Sequence, residues 1–153
     1  MVTMPTGFDA YDPACPARLV LEHLTSRWGV LALAALRERT YRFSELRRRV
    51  NGVSEKVLAQ TLQTLERDGL VLRTAYPEVP PRVEYRLTAS GREAAELLSG
   101  LVDWVERRMP RIMAEHRRYD ARIAAGDGPA PAAAEAGFGA TGAGRGAAGT
   151  PPR

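Results

Sequence analysis

Residues 53–87 read VSEKVLAQTLQTLERDGLVLRTAYPEVPPRVEYRL, and this stretch combines one amphipathic helix with a tight two-stranded hairpin. The apolar residues of its first half recur at helical spacing, so we predict a buried stripe made of Val53, Leu58, Leu62 and Leu65. Ser54 is expected to cap the helix N-terminus, and Gly69 to end the helix in a left-handed conformation. Both ends of this helix are therefore marked in the sequence.

The hairpin follows the helix directly. Residues 71–76 are rich in strand-forming side chains, PEVPP interrupts them, and residues 83–87 alternate apolar and polar side chains. Proline cannot donate a ladder hydrogen bond, so Pro77, Pro80 and Pro81 are assigned to a stiff connecting loop. Arg82 stands at the exit of that loop, where a cation is suited to contact phosphate or a minor groove. An ordinary solvated turn arginine is the alternative.

The side of the helix opposite the stripe carries small, amide or cationic side chains: Lys56, Val57, Gln60, Gln63, Thr64 and Arg67. A DNA major groove admits one helix, and amides or arginines can bond base edges in pairs. A solvated helix face without a ligand is the alternative interpretation.

The preceding residues predict three shorter helices. The first starts at residues 13–16 and ends near Ser26, with Ala17, Val20, Leu21 and Leu24 facing inward; the second, residues 28–37, is apolar nearly all round and therefore central. Residues 39–41 suggest a short third strand. Ser44 is expected to cap a short helix whose Phe43, Leu46 and Val50 face the core, and a turn at Asn51 and Gly52 follows. This order predicts a mainly α, α+β winged helix-turn-helix fold.

A helix capped by Thr88 is predicted from residue 89 to residue 108, broken or kinked by Pro110 and extended to about residue 125. Its broad apolar surface indicates a subunit interface, although packing onto the first helix of the same chain is the alternative. The predicted interface residues are Leu97, Leu98, Leu101, Trp104, Val105, Met109, Ile112 and Met113. The domain is accordingly expected over residues 13–125.

Both termini differ from this domain in composition. Residues 1–12 lack periodicity and are interpreted as a mobile arm. Residues 126–153 contain eight Gly, nine Ala and four Pro, so this tail is expected to be disordered.

Charge and rare residues limit the function classes. The net charge is +4, and residues 41–86 carry nine cations against six acids, so much of the excess lies around the proposed winged helix. A single cysteine, Cys15, and two distant histidines exclude a thiolate zinc cluster, so we expect no metal and no cofactor. We find no nucleophile arrangement or phosphate-binding glycine loop and predict that the protein is not an enzyme. A signal peptide and a membrane span are also missing from the pattern, which predicts a cytoplasmic protein.

Four segments together resemble the HxlR-type transcriptional regulators, a winged-helix family similar to the MarR group. They read CPARLVLEHLTSRWGVLALAAL, YRFSELRRRVNGVSEKVLAQTLQTLERDGLV, RTAYPEVPPRVEYRLTASGRE and LVDWVE, within residues 15–106. The chain has Thr25, Ser26, Arg27 and Trp28 where the family commonly has Gly-Gly-Lys-Trp.

The resemblance implies a cytoplasmic homodimer that places two recognition helices on an inverted-repeat operator and usually acts as a repressor. It implies base contacts from Ser54, Lys56, Gln60 and Thr61, backbone contacts from Arg42 and Arg47, and a wing contact from Arg82; Val57 and Thr64 complete the predicted DNA-binding set. A winged-helix module that binds another protein instead of DNA is the alternative function.

The resemblance also implies a thiol before the first helix, where Cys15 stands. The helix dipole and Arg18 favour the thiolate form, which makes Cys15 a candidate redox or electrophile sensor. A small residue that only packs at the helix start is the alternative. A small-molecule effector is compatible with the DNA-binding function, since Trp28, Trp104, Met109 and Met113 could line an interface pocket; a purely structural role in the core is the alternative for these residues.

Overall fold

The computed structural model describes residues 7–128. Five helices and three strands follow in the order α1 (Pro16–Thr25), α2 (Arg27–Glu38), β1 (Tyr41–Arg42), α3 (Phe43–Arg49), α4 (Glu55–Arg67), β2 (Val71–Tyr76), β3 (Arg82–Leu87) and α5 (Ala89–Ala124). The predicted mainly helical winged helix-turn-helix class is confirmed. Residues 1–6 of the predicted arm and residues 129–153 of the predicted tail lie outside the described residues.

The ends of α4 form as the sequence predicts. The Ser54 hydroxyl oxygen accepts a hydrogen bond from the Val57 N–H at 3.1 Å, and Gly69 adopts a φ of 74° two residues after the helix ends. The predicted Ser44 cap of α3 was wrong, because the N-cap is Arg42 and Ser44 lies inside the helix. Glu45 reaches back and accepts a hydrogen bond from the Arg42 N–H at 3.0 Å, which satisfies the N-terminus without a serine cap.

The three strands form one antiparallel sheet in the order β1-β3-β2. Tyr41 pairs with Tyr85, and the hairpin runs from the Val71–Leu87 pair to the Tyr76–Arg82 pair. The short third strand is therefore present, at residues 41–42 instead of 39–41, and β3 begins one residue earlier than predicted.

The core lies where α2, α3 and α4 pack against the sheet. Leu33, Leu46, Leu58 and Leu62 are fully buried, and Val53 and Leu65 complete the predicted stripe with 5% and 1% exposure. Phe43 and Trp28 pack against this cluster from its edge. Because one face of α4 is buried in the core, the position of its exposed face relative to the rest of the domain is fixed.

The first helix departs from expectation. None of the residues of α1 is buried: Ala17, Val20 and Leu24 are half-buried, and Leu21 is 47% exposed. These side chains, with Phe8, Ala10 and Pro16, line an apolar groove of about 490 Å³, and of the four only Leu24 also packs against the core. The central helix α2 already fills the space beside α4, so α1 packs only at the edge.

The chain divides into two compact units, Met1–Met109 and Pro110–Arg153, which are described separately. In the first unit, Thr88 caps α5 as predicted by accepting a hydrogen bond from the Gly91 N–H at 3.0 Å. Of the predicted break or kink at Pro110, the break is not observed, because α5 includes Pro110. Within residues 7–128 no single helix meets the length and hydropathy of a membrane span, and only α1 and α2 together, bent by 69°, would pass by composition.

Candidate nucleic-acid interface

The outward side of α4 carries a continuous row of exposed side chains. The exposed side chains are Lys56, Gln60, Gln63 and Arg67. Neither of the two cations, Lys56 and Arg67, forms an ion pair among residues 7–128. Gln63 and Arg67 were not among the predicted DNA contacts, although helical spacing from Gln60 places them on the same side. This row presents two amides and two cations, which suits a DNA groove wide enough to admit a helix.

Three other predicted contact residues lie on the flank of α4 that faces the end of α1. Val57, Thr61 and Thr64 are half-buried and border a groove of about 230 Å³ that Glu22, His23 and Ser26 close from the other side. The Thr61 hydroxyl donates to the Val57 carbonyl oxygen at 2.8 Å, so its hydrogen is already used within the helix. These side chains are therefore less available to a partner than the exposed row.

One polar contact fixes α1 to the end of α4. His23 Nδ1 lies 2.6 Å from Asp68 Oδ2, and both side chains are mostly covered. Asp68 is the C-cap residue of α4. The contact ties the position of α1 to the recognition helix across 45 residues of chain.

The turn between α3 and α4 is rigid. Val50 and Val53 are buried on either side of it, and Gly52 adopts a φ of 94°. A Cβ atom added at Gly52 would lie 3.8 Å from Cη2 of Trp28, so the indole ring covers the turn from the side of α2. Buried anchors on both sides leave the N-terminus of α4 a defined position relative to α3.

A cationic groove of about 720 Å³ runs along α3 and this turn. Arg47 and Arg48 line it together with Ser44, Asn51 and Ser54. Arg47 is 3.9 Å from Glu55, a distance at the limit of an ion pair, and Arg48 has no carboxylate partner within residues 7–128. Sequence reasoning missed Ser44 and Arg48, which the four-residue spacing along α3 would have placed on one side.

The geometry suits phosphate binding at the start of α4. Unpaired backbone N–H groups at a helix N-terminus attract anions, and Arg47 and Arg48 of α3 are exposed in the groove beside it. The Arg42 N–H hydrogen bond to Glu45 holds the pKa of that carboxyl below its usual range, which keeps Glu45 charged. Arg42 itself projects from the N-cap position of α3.

The wing arginine is more constrained than expected. Arg82 is the first residue of β3, its side chain is 28% exposed, and it lies 3.1 Å from Glu78 and 3.6 Å from Glu84. Its guanidinium also stacks 4.2 Å from the centre of the Tyr76 ring. Two carboxylates thus offset the charge that the sequence alone presents as free.

Most of the helices and strands described above lie within the match to one protein family. The model of the HxlR-like helix-turn-helix matches residues 23–113, more than half of the chain. The chain belongs to the HxlR-like helix-turn-helix family. It is a helix-turn-helix transcriptional regulator and not an enzyme, as predicted.

Relatives of the HxlR-like family agree with this assignment. The HTH-type transcriptional regulator YtfH of Escherichia coli (strain K12) is 59% identical over 100 residues, which cover 65% of this chain and 79% of YtfH. The solved structure of ytfH from Salmonella typhimurium matches with a TM-score of 0.70 and 50% identity over 72% of this chain and 99% of that one. The oxidised form of the redox regulator HypR matches with a TM-score of 0.56 and 32% identity over 61% of this chain and 96% of that one.

The candidate sensor of this HxlR-like chain sits at a helix start. Cys15 is the N-cap residue of α1, is half-buried, and makes no side-chain capping hydrogen bond. Its backbone N–H donates to the Asp12 carbonyl oxygen at 3.0 Å, and the Asp12 N–H donates to the Asp9 carbonyl oxygen at 3.2 Å, so the end of the predicted arm, residues 9–12, forms hydrogen-bonded turns with the start of the domain. Across residues 7–128 no cluster of three or more His, Cys, Asp or Glu side chains could hold a metal.

The predicted interface residues of the first unit are mostly exposed. Leu97 is 79%, Leu101 50% and Trp104 48% exposed, and Val105 and Met109 are also exposed, whereas Leu98 packs against the core. Intrachain cover by α1, the alternative for this surface, is therefore not observed for these five side chains. In the second unit Ile112 is half-buried, and Met113 is 44% exposed.

Proposed function

We propose that this HxlR-like regulator is a cytoplasmic homodimer that binds an inverted-repeat operator sequence-specifically and represses transcription. The observation that carries the proposal is the exposed row of Lys56, Gln60, Gln63 and Arg67 on a helix whose opposite side is locked into the core. A helix held this way is already ordered, so it loses little conformational entropy when it enters a major groove.

Base selection is assigned to the exposed row. Gln60 can bond adenine through paired contacts, and Lys56 can bond guanine acceptors. Ser54 retains its hydroxyl hydrogen for a base or phosphate because its oxygen is the capping acceptor. Val57, Thr61 and Thr64 supply shape at the flank of the helix, where small side chains let the groove wall approach.

Register on the duplex is assigned to phosphate contacts. Arg47 and Arg48 line the groove at the N-terminus of α4, where the helix dipole also favours phosphate, and Arg42 adds a cation at the N-cap of α3. Arg82 contacts the backbone from the wing after exchanging Glu78 for a phosphate oxygen.

The homodimer is proposed to form through the exposed apolar sides of α1 and α5. A monomer rarely leaves so many large apolar side chains in contact with water. Dimerisation would present two copies of α4 to successive major grooves about 34 Å apart.

A redox or electrophile signal through Cys15 forms part of the proposal. Cys15 starts α1, and α1 is tied to the end of α4 by the His23–Asp68 contact, so a change at the thiol can reach the recognition helix. The 32% identity to a protein described as a redox regulator supports this part.

The proposal is tested by operator binding over a range of salt concentrations, using DNA from the gene's own upstream region. Gln60→Ala should change base preference with little change in salt dependence. Arg82→Ala should weaken binding to all DNA sequences and reduce the slope of log affinity against log salt concentration by about one unit. Glu78→Gln is the matched control and should strengthen binding, because it removes the carboxylate that competes with phosphate for Arg82.

Absence of binding to any duplex would reject the DNA-binding function in favour of a protein-interaction module. An unchanged salt slope in Arg82→Ala would reject the wing contact alone. Repeating the assay with diamide on wild type and Cys15→Ser tests the signal, and identical responses would remove Cys15 from it.

A further inference from the structure

A cleft of about 280 Å³ lies within the first unit. Its walls come from α2, from the end of α3 with the following turn, and from α5. Ala35 and Val50 form its base with 4% and 3% exposure, and Leu31, Ala34 and Val102 add apolar surface. The volume is near the lower end of the range for small-molecule sites.

The charges around the cleft are not balanced. Arg49 is occupied, because its Nε donates to Glu38 Oε2 at 3.1 Å and its Nη2 lies 2.5 Å from Glu38 Oε1. That pair lowers the pKa of Glu38 and raises the pKa of Arg49, so both stay charged. Asp103 and Glu106, which also line the cleft, have no ion pair or hydrogen-bond donor within residues 7–128. Arg37 is the single remaining cation on the rim.

Part of the proposed dimer surface lies on a different side of α5 from the cleft. At about 100° per residue, Ser99, Val102, Asp103 and Glu106 fall on one side of α5, and Leu97, Leu101 and Trp104 fall on the opposite side. Met109, also a predicted interface residue, falls within about 20° of Val102, so the cleft borders the proposed dimer surface.

From these observations we infer that the cleft binds a small apolar molecule carrying one amine, with the ammonium group between Asp103 and Glu106 and the hydrocarbon part over Ala34, Ala35 and Val50. An organic cation fits better than a metal ion, because Asp103 and Glu106 are exposed carboxylates without an ion-pair partner within residues 7–128, and they lie beside the apolar side chains of the cleft. A carboxylate ligand would meet two like charges for one cation.

The cleft is lined in part by the turn that precedes α4, the proposed DNA-binding helix. Val50 and Asn51 line the cleft and belong to the turn that leads into α4. A ligand that changes the distance between α5 and this turn would change operator affinity. This regulatory consequence rests on the proposed function, whereas binding of the amine does not.

The binding test uses 3-phenylpropylamine with the full chain in isothermal titration calorimetry at about pH 7. We expect saturable binding of one molecule per chain, and at least about tenfold weaker binding of 3-phenylpropanol and 3-phenylpropanoate. The Asp103→Asn/Glu106→Gln variant should lose at least about tenfold in affinity. Glu93→Gln/Glu96→Gln is the matched control, because it removes two exposed carboxylates from the same helix outside the cleft and should leave affinity unchanged.

A second variant tests the apolar part of the site. Ala34→Leu should fill the base of the cleft and abolish amine binding while the circular dichroism spectrum stays that of wild type. The inference is overturned if wild type shows no saturable heat with the amine, if the alcohol binds equally well, or if the Asp103→Asn/Glu106→Gln variant binds as tightly as its control.

Operator binding with and without the amine separates the two proposals. A protein that binds the amine but no duplex would keep the site and reject the proposed function. Operator binding that is intact and unchanged by saturating amine would reject the regulatory consequence.

Discussion

At the scale of single residues, the start of α5 depends on contacts that only particular side chains allow. Thr88 donates its hydroxyl hydrogen to the Gly69 carbonyl oxygen at 2.6 Å, and its backbone N–H donates to the Leu70 carbonyl oxygen at 3.1 Å. Gly91 then packs directly on Leu70: a Cβ atom at residue 91 would lie 1.8 Å from the Leu70 carbonyl oxygen. The junction between α4, the wing and α5 therefore has no room for a methyl group.

Gly91→Ala is expected to destabilise the protein by about 3 kcal/mol, because the backbone of residue 70 must move to admit the methyl group. Urea unfolding followed by circular dichroism measures the loss. Gly100→Ala is the control in the same helix, where an added Cβ atom meets nothing within 4 Å. This control should be neutral or stabilising by about 0.5–1 kcal/mol, and equal stabilities of the two variants would contradict the packing.

At the scale of elements, α2 and α3 are joined by a polar cluster at their ends. Glu38 of α2 receives hydrogen bonds from Arg49 of α3 and, at 2.6 Å, from the hydroxyl of Tyr41 of β1. Hydrogen bonds from Arg49 and Tyr41 lower the pKa of Glu38, whereas burial and the Glu38 carboxylate raise the pKa of Tyr41. The cluster links the end of α3 to the sheet.

This cluster should make stability depend on acid pH. The pKa of Glu38 is lower in the folded chain than its ordinary value of 4.5, so the folded state binds fewer protons than the unfolded state near this pH. The stabilisation is therefore full above pH 4.5 and is lost as pH falls through the pKa of the folded chain. Glu38→Gln should cost about 0.5 kcal/mol near pH 7, the size of an exposed ion pair, and almost nothing near pH 3.

Urea unfolding of wild type and Glu38→Gln at both pH values measures this difference. Glu66→Gln is the control, because Glu66 is exposed and makes no ion pair within residues 7–128. A Glu38→Gln cost that stayed constant with pH would show that the charge of Glu38 contributes nothing.

At the scale of the whole molecule, the exposed apolar side of α5 leads to an expectation about assembly. Leu101→Glu should convert the proposed dimer to a monomer, because each buried Leu side chain contributes roughly 1.5–3 kcal/mol and the substitution occurs on both subunits. The dimer dissociation constant should rise by at least about 100-fold. Ser99→Glu adds the same charge on the opposite side of α5 and should leave the dimer intact.

Sedimentation velocity over a range of protein concentrations measures this assembly. A monomeric wild type would contradict the homodimer, and a dimeric Leu101→Glu variant would place the interface elsewhere.

The sequence by itself determined the elements whose signals are local. Helical spacing placed Val53, Leu58, Leu62 and Leu65 in the core, and Ser54 and Gly69 marked the ends of α4, because caps and periodicity act within a few residues. The prolines between β2 and β3 likewise marked the hairpin loop, because proline cannot donate a ladder hydrogen bond.

Only the tertiary structure decided features that depend on contacts between distant residues. Arg82 reads as a free cation in the sequence, but folding brings it between Glu78 and Glu84; α1 reads as a core helix, but α2 and α4 leave it only an edge. The cleft beside Asp103 and Glu106 is formed by three elements far apart in the chain, so no local pattern could reveal it. Long-range packing sets burial and charge neutralisation, and neither quantity is encoded at the spacing of a single helix or strand.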